Sequence, residues 1–286
     1  MKRILYILCV ALVSFPMHSL AAERYVAIGD SIAAGQTPNM AVDTGYIDLI
    51  AQQLAATGNL QSFDRSLPFP GLTVEEINAS IQSDEAKATL QQATLITISA
   101  GANNLLPLIA HDATKGTIAY TQLSANFALN KVREGMEEML EQLKKLAPNA
   151  KVYVMGYYFP YTSVHPTQLE GVTKELNTLN MILKNSAEQY GALFVEVEKT
   201  FQSNRIDYLP NPSDVHPNRL GYLAIANAFF SVYGLPQMTK QQLPPSIPKT
   251  FEEIIEQQRT KQMGEVAKTV TITQYVIAYG YARTMS

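Results

Sequence analysis

RYVAIGDSIAAG, residues 24–35, runs from a stretch of apolar, β-forming residues straight into a Gly-Asp-Ser turn followed by small residues. Arg24–Gly29 is hydrophobic almost without interruption, the signature of a strand covered on both faces. Thr94–Ser99 (TLITIS), Lys151–Gly156 (KVYVMG) and Ala192–Val197 (ALFVEV) share this character. Helical patterns lie between them. Tyr46–Ala56 repeats apolar residues at 46, 47, 49, 50 and 54. A second pattern sets Phe127, Val132, Met136, Met139, Leu140 and Leu143 on one stripe, with Arg133, Glu134, Glu137, Glu138, Glu141 and Lys144 largely off it. A third runs from about Pro166 to Tyr190, and a fourth begins at Pro217, a favoured first helical residue. Alternation of this kind predicts an α/β fold, a parallel sheet with helices on both faces. Ligands of such sheets bind beyond the carboxyl ends of the strands, so residues that follow strands are the ones to inspect.

The flanking regions differ from this core. Lys2 and Arg3 precede the apolar run ILYILCVALVSF, then come Pro16 and the small-residue exit SLAA, which together read as a secretory signal over residues 1–22. Cleavage after Ala21 or Ala22 fits, and the run is short of the roughly 20 residues that a bilayer span needs. The expectation is a secreted or periplasmic protein with no stable membrane span after cleavage. Cys9, the only cysteine, lies inside the signal, so the mature chain has no thiol, disulfide or cysteine-based metal site. Removing the signal leaves 20 basic and 25 acidic residues, and no basic cluster supports a nucleic-acid partner. Beyond Tyr233, Pro236, Pro244, Pro245 and Pro248 punctuate a polar stretch, and Phe251, Ile254, Ile255, Val266 and Val270 suggest one or two helices. The chain thus divides into a signal (1–22), a main α/β domain (23–235), and a linker with a helical C-terminal extension (236–286).

Three short clusters carry chemistry. In Gly29-Asp30-Ser31 the serine is delivered to a strand's carboxyl end, where a nucleophile is well placed, although the tripeptide is also a common turn and the GxSxG elbow is not met. Gly101-Ala102-Asn103-Asn104 follows the strand TLITIS; asparagines there either form a turn or donate to a tetrahedral oxyanion. His216 has an acid, Asp214, two residues before it and a helix starting after it. A base that takes a serine proton needs its other ring nitrogen held by an acceptor.

These pieces, in this order, resemble the GDSL/SGNH hydrolase family over about Arg24 to Tyr233. GDSIAAG matches its first block at Ser31, Pro70-Gly71-Leu72-Thr73 looks like its glycine block, GANN like the block usually written GxND, and Asp214-Val215-His216-Pro217-Asn218 like its last. The resemblance implies a three-layer α/β/α sandwich of flavodoxin-like type. It implies Ser31 as nucleophile, His216 as base and Asp214 as its orienting acid, with an oxyanion hole from the Ser31 and Gly71 amides and the Asn103 side chain. Two departures stand out: Ser213 occupies the usual position of the acid, three before the histidine, and Asn104 stands where aspartate is usual.

The implied activity is hydrolysis of a small-molecule or lipid ester through an acyl-serine, without cofactor or metal. Rival readings are a cell-envelope O-acyltransferase, a carbohydrate O-acetyl esterase, and a non-catalytic glycan-binding module. Tyr157, Tyr158, Phe159, Pro160 and Tyr161 follow KVYVMG, and this aromatic loop either lines an acyl pocket or packs beneath the loop.

Overall fold

The computed structural model describes residues 22–254 and 256, apart from 39, 203 and 251. All but the last residue of the expected signal, and most of the helical pattern anticipated after residue 250, lie outside the described residues. Along the chain come β1 (Glu23–Gly29), the single turn α1 (Ser31–Ala34), β2 (Ala41–Val42), α2 (Tyr46–Ala56), β3 (Leu60–Asp64), α3 (Val74–Ser80), α4 (Asp84–Gln92), β4 (Leu95–Ser99) and α5 (Ala102–Leu105). A small hairpin follows, β5 (Ala110–Asp112) and β6 (Thr117–Ala119). Then come α6 (Gln122–Leu146), β7 (Lys151–Met155), α7 (Pro166–Tyr190), β8 (Leu193–Val195), the turns α8 (Glu198–Phe201) and α9 (Arg205–Tyr208), α10 (Arg219–Tyr233) and β9 (Lys249–Thr250).

Five strands form one parallel sheet in the order β3-β1-β4-β7-β8. Numbered within the sheet this is the order 2-1-3-4-5, the doubly wound flavodoxin-like arrangement, whose direction of winding reverses between the first and third strands. Here those strands are β1 and β4. The two central strands are the most buried: every residue of β4, and all of β1 but Arg24, is buried. α2 packs on α10 as one helical layer, and α6 packs on α7, with α3 and α4 beside α6, as the other. Among the described residues no helix is long and apolar enough to cross a membrane.

The helical stripes set these layers. α6 buries Ala125, Leu129, Val132, Met136, Met139, Leu140 and Leu143. Phe127 was expected among them, yet it is 65% exposed. At about 100° per residue, position 127 falls roughly 140° away from Val132 around the helix, and Lys131, one turn on, sits over its ring at 5.7 Å. The last core helix also starts later than expected. Asn218 caps it, its side chain accepting from the Leu220 and Gly221 amides, so Pro217 lies before the cap and not at the first helical position.

Residues 236–250, read as a linker, are fastened to the core. Asn227 exchanges two hydrogen bonds with the Met238 backbone, Gln53 donates to Pro236 O at 2.8 Å and Gln52 to Gln242 O at 2.9 Å. Asp43 accepts from the Ser246 hydroxyl and the Ile247 amide, and β9 then pairs antiparallel with β2. The sequence of this stretch is polar and proline-rich, and its order comes from side chains of α2 and α10 that satisfy its backbone.

Candidate active site

Ser31 emerges where β1 and β4 end side by side. Gly29 has φ +149°, and a Cβ there would lie 2.3 Å from the Ser99 carbonyl oxygen, so only glycine lets the two strand ends approach this closely. The Asp30 amide donates to that same carbonyl at 2.9 Å. Asp30 caps α1 through the Ile32 amide, and Ser31 is the first helical residue, buried at 6% exposure. This is the reversal point of the sheet, where open α/β folds place their ligands.

His216 arrives from the other end of the core, just ahead of the Asn218 cap. Its Nε2 lies 2.9 Å from Ser31 Oγ and its Nδ1 2.6 Å from Asp214 Oδ1. The same carboxylate oxygen also accepts the His216 backbone amide at 2.7 Å. A two-residue turn held in this way lets an acid at the second position before the histidine reach the ring. Burial pushes the Asp214 carboxyl up, but the hydrogen bonds from the His216 ring and amide, with the imidazole's charge, outweigh it and hold the carboxyl below the usual range. It is an ionised acceptor, able to fix the imidazole tautomer with Nε2 facing the serine.

Asn103 stands on the turn after β4 and shares the wall of one cavity with Ser31. Its side-chain amide donates to the Leu72 carbonyl at 2.9 Å, which uses one of its two N–H groups. Gly71 adopts φ +86° in the loop before α3. That loop is tied on both sides of Gly71, by the Phe69 amide to the Gly29 carbonyl at 3.0 Å and by Leu72 to Asn103. The Gly71 loop is thus pinned to both segments that carry Ser31 and Asn103. Asn104 accepts the Val74 amide at 3.1 Å and donates to Glu75 at 2.7 Å. An aspartate could not make the second bond, so asparagine suits this chain.

The aromatic loop after β7 packs beneath the site and also contributes to the wall of a cavity. The Tyr157 hydroxyl donates to Asp30 at 2.5 Å, and Asn180 exchanges two 2.8 Å bonds with the Tyr157 backbone. The Tyr158 hydroxyl donates to the Val215 carbonyl at 2.8 Å, and its ring stacks on Phe201 at 4.1 Å. One buried loop therefore braces the residue before Ser31 and the residue before His216. The sequence placed these tyrosines near the site but gave no signal for the partners of their hydroxyls.

The cavity beside Ser31 is walled almost wholly by apolar groups, among them Leu105, Ile109, Phe159, Leu176 and Leu179. It offers ≈ 90 Å³ to the centres of water-sized groups. Its polar-bearing wall residues are Asp30, Ser31, Asn103, Tyr120 and Glu175, with the loop tyrosines Tyr157, Tyr158 and Tyr161.

Asp30 is the costly member of this site. Burial raises its carboxyl from 3.8 to about 6, and the hydrogen bonds from Tyr157 and the Ile32 amide offset this only in part. The folded protein therefore holds this proton more tightly than the unfolded chain does. Asp30's contribution to stability is full below the unfolded value and is lost as pH rises through about 6. The stability of the native protein relative to Asp30→Asn should fall by on the order of 3 kcal/mol between about pH 4 and about pH 7. Urea unfolding of both proteins across that range measures it, and a difference that stays constant contradicts the assignment.

A family model described as the GDSL-like Lipase/Acylhydrolase family matches residues 27–224. No curated protein matches the chain in sequence. Among solved structures, an acetylxylan esterase from Geobacillus stearothermophilus is similar at a TM-score of 0.58 and 18% identity, over 77% of this chain and 99% of that one. A lipase from a goat rumen metagenome gives 0.56 at 20% identity, over 72% and 95%. An alpha/beta hydrolase from the metagenome of Lake Arreo, Spain, gives 0.55 at 21% identity, over 75% and 96%. At these identities the structural likeness concerns the fold. The family match spans more than half of the chain and takes in Ser31, Asn103 and His216; the chain belongs to the GDSL-like lipase/acylhydrolase family and is an ester-hydrolysing enzyme.

Proposed function

We propose that the protein is an exported serine hydrolase that cleaves carboxylic esters through an acyl-Ser31 intermediate. The observation that carries this is the Ser31–His216–Asp214 chain of hydrogen bonds, 2.9 Å and 2.6 Å long. Ser31 Oγ attacks the ester carbonyl while its proton passes to His216 Nε2, and the imidazolium that forms is stabilised by ionised Asp214. The carbonyl oxygen, now an oxyanion, is held by the Ser31 and Gly71 amides and by the second N–H of Asn103. As the tetrahedral species collapses, the C–O bond to the alcohol breaks and His216 returns the proton to the departing oxygen. Water then repeats the sequence. His216 takes its proton, hydroxide adds to the acyl carbon, and as the Ser31 ester bond breaks His216 returns the proton to Ser31 Oγ and the free acid leaves.

The same chemistry serves lipids and acetylated sugars. Likeness of fold to an acetylxylan esterase leaves the acyl group open, and the shape of the cavity is the better guide to it. Export rests on the N-terminal pattern of Lys2 and Arg3, an apolar run and SLAA. Mass spectrometry of the protein secreted or released from the periplasm should find a mature N-terminus at Ala22 or Glu23, and an intact Met1 in that fraction counts against cleavage. For the chemistry, Ser31→Ala should abolish hydrolysis of p-nitrophenyl butyrate in a protein of native circular dichroism. Asn103→Ala should lower kcat by about 10²–10³-fold with a smaller change in KM. Undiminished turnover by folded Ser31→Ala overturns the reading.

A further inference from the structure

The apolar cavity runs along α7. Val172, Leu176 and Leu179 are spaced by four and three residues, so they form one stripe of that helix, and all three line the cavity with Glu175 beside them. Leu179 marks the inner end: its Cδ1 lies 3.4 Å from where a Cβ on Gly101 would stand, and Gly101 is two residues from Asn103. Val172 and Glu175 mark the outer end. Glu175 there accepts from Gln122 at 3.0 Å, and the Tyr120 ring joins the wall.

From Leu179 to Val172 is seven residues of helix, about 10 Å. An extended acyl chain of about eight carbons covers that distance. An acetyl group would leave most of this apolar surface unfilled. A much longer chain would have to carry its methylenes past the Glu175 carboxylate, where they displace water from a charged group and bury no apolar partner.

We propose that this cavity is the acyl site and that it selects esters of medium-chain saturated acids, centred on about eight carbons, with Glu175 setting the upper limit. The proposal rests on the acyl-Ser31 reading above. Because the channel is apolar along its length, each methylene that enters it adds binding that is retained in the transition state, up to about fourfold per group in kcat/KM.

The test is a series of p-nitrophenyl esters from acetate through butyrate, hexanoate, octanoate and decanoate to palmitate, with native protein, Leu176→Trp and Glu175→Leu. For the native protein kcat/KM should peak between hexanoate and decanoate, at least about tenfold above acetate. Leu176→Trp, which fills the middle of the channel, should move the maximum to butyrate or shorter. Glu175→Leu, which removes the charge at the outer end, should move it towards palmitate, a gain that a damaged fold does not produce. A native profile that is highest with acetate, or a maximum that Glu175→Leu leaves in place, overturns the proposal. Ser31-dependent hydrolysis confined to acetate would remove this inference and leave the acyl-serine reading standing, whereas failure to turn over any ester would remove both.

Discussion

The hydrogen bond between His216 Nε2 and Ser31 Oγ joins residues 185 apart in sequence, and the proposed catalytic arrangement depends on its being held at 2.9 Å. Neither residue could hold it alone. Ser31 is placed by the crowding of β1 against β4, which Gly29 permits because it has no Cβ to meet the Ser99 carbonyl. His216 is placed by a two-residue turn in which Asp214 grips both ring and backbone. The two segments are then fastened through a third, because Tyr157 reaches Asp30 and Tyr158 reaches Val215 from adjacent positions of one loop. On the proposed mechanism a shift of about 1 Å in any of these would cost rate steeply, since proton transfer from serine to imidazole tolerates little error in geometry.

This precision has a counterpart in stability. Asp30 is buried in full view of the aromatic loop, and its carboxyl is raised to about 6 because few donors replace the water it has lost. An apolar residue there would relieve that strain and remove both the cap on α1 and the partner of the Tyr157 hydroxyl. The neighbouring cavity shows the opposite economy. Its wall is aliphatic and aromatic, which suits a ligand whose binding comes from burial of surface and not from directed bonds.

The elements most legible in the sequence were those whose residues are buried on every side. β1, β4 and β7 read as apolar runs for this reason, α2 declared itself by periodicity, and α7 was read with the bounds the structure gives, Pro166–Tyr190. β3 was not seen. LQSFD sits at the edge of the sheet with two exposed residues in a row, so it has neither a continuous nor an alternating pattern. The β5–β6 hairpin has strands of three residues, too short for any periodicity to show. Phe127 misled because an aromatic residue near a stripe suggests burial, although its angle on the helix points elsewhere. Among the candidate residues, Ser31, Asp214 and His216, which the structure brings within hydrogen-bonding reach, stood out as short blocks, as did Gly71 and Asn103. The Tyr157 and Tyr158 braces and the ordered course of residues 236–250 were not, because each depends on partners far away in sequence that only folding brings near.

Covalent capture addresses the central claim most directly. The folded protein is treated with a fluorophosphonate, digested, and its peptides are read by mass spectrometry, with His216→Ala treated in parallel. Convergence of one hydroxyl with one imidazole predicts a single adduct, located on Ser31 and lost in His216→Ala. A protein that turns over esters yet carries its adduct on another residue, or reacts equally well without His216, contradicts it.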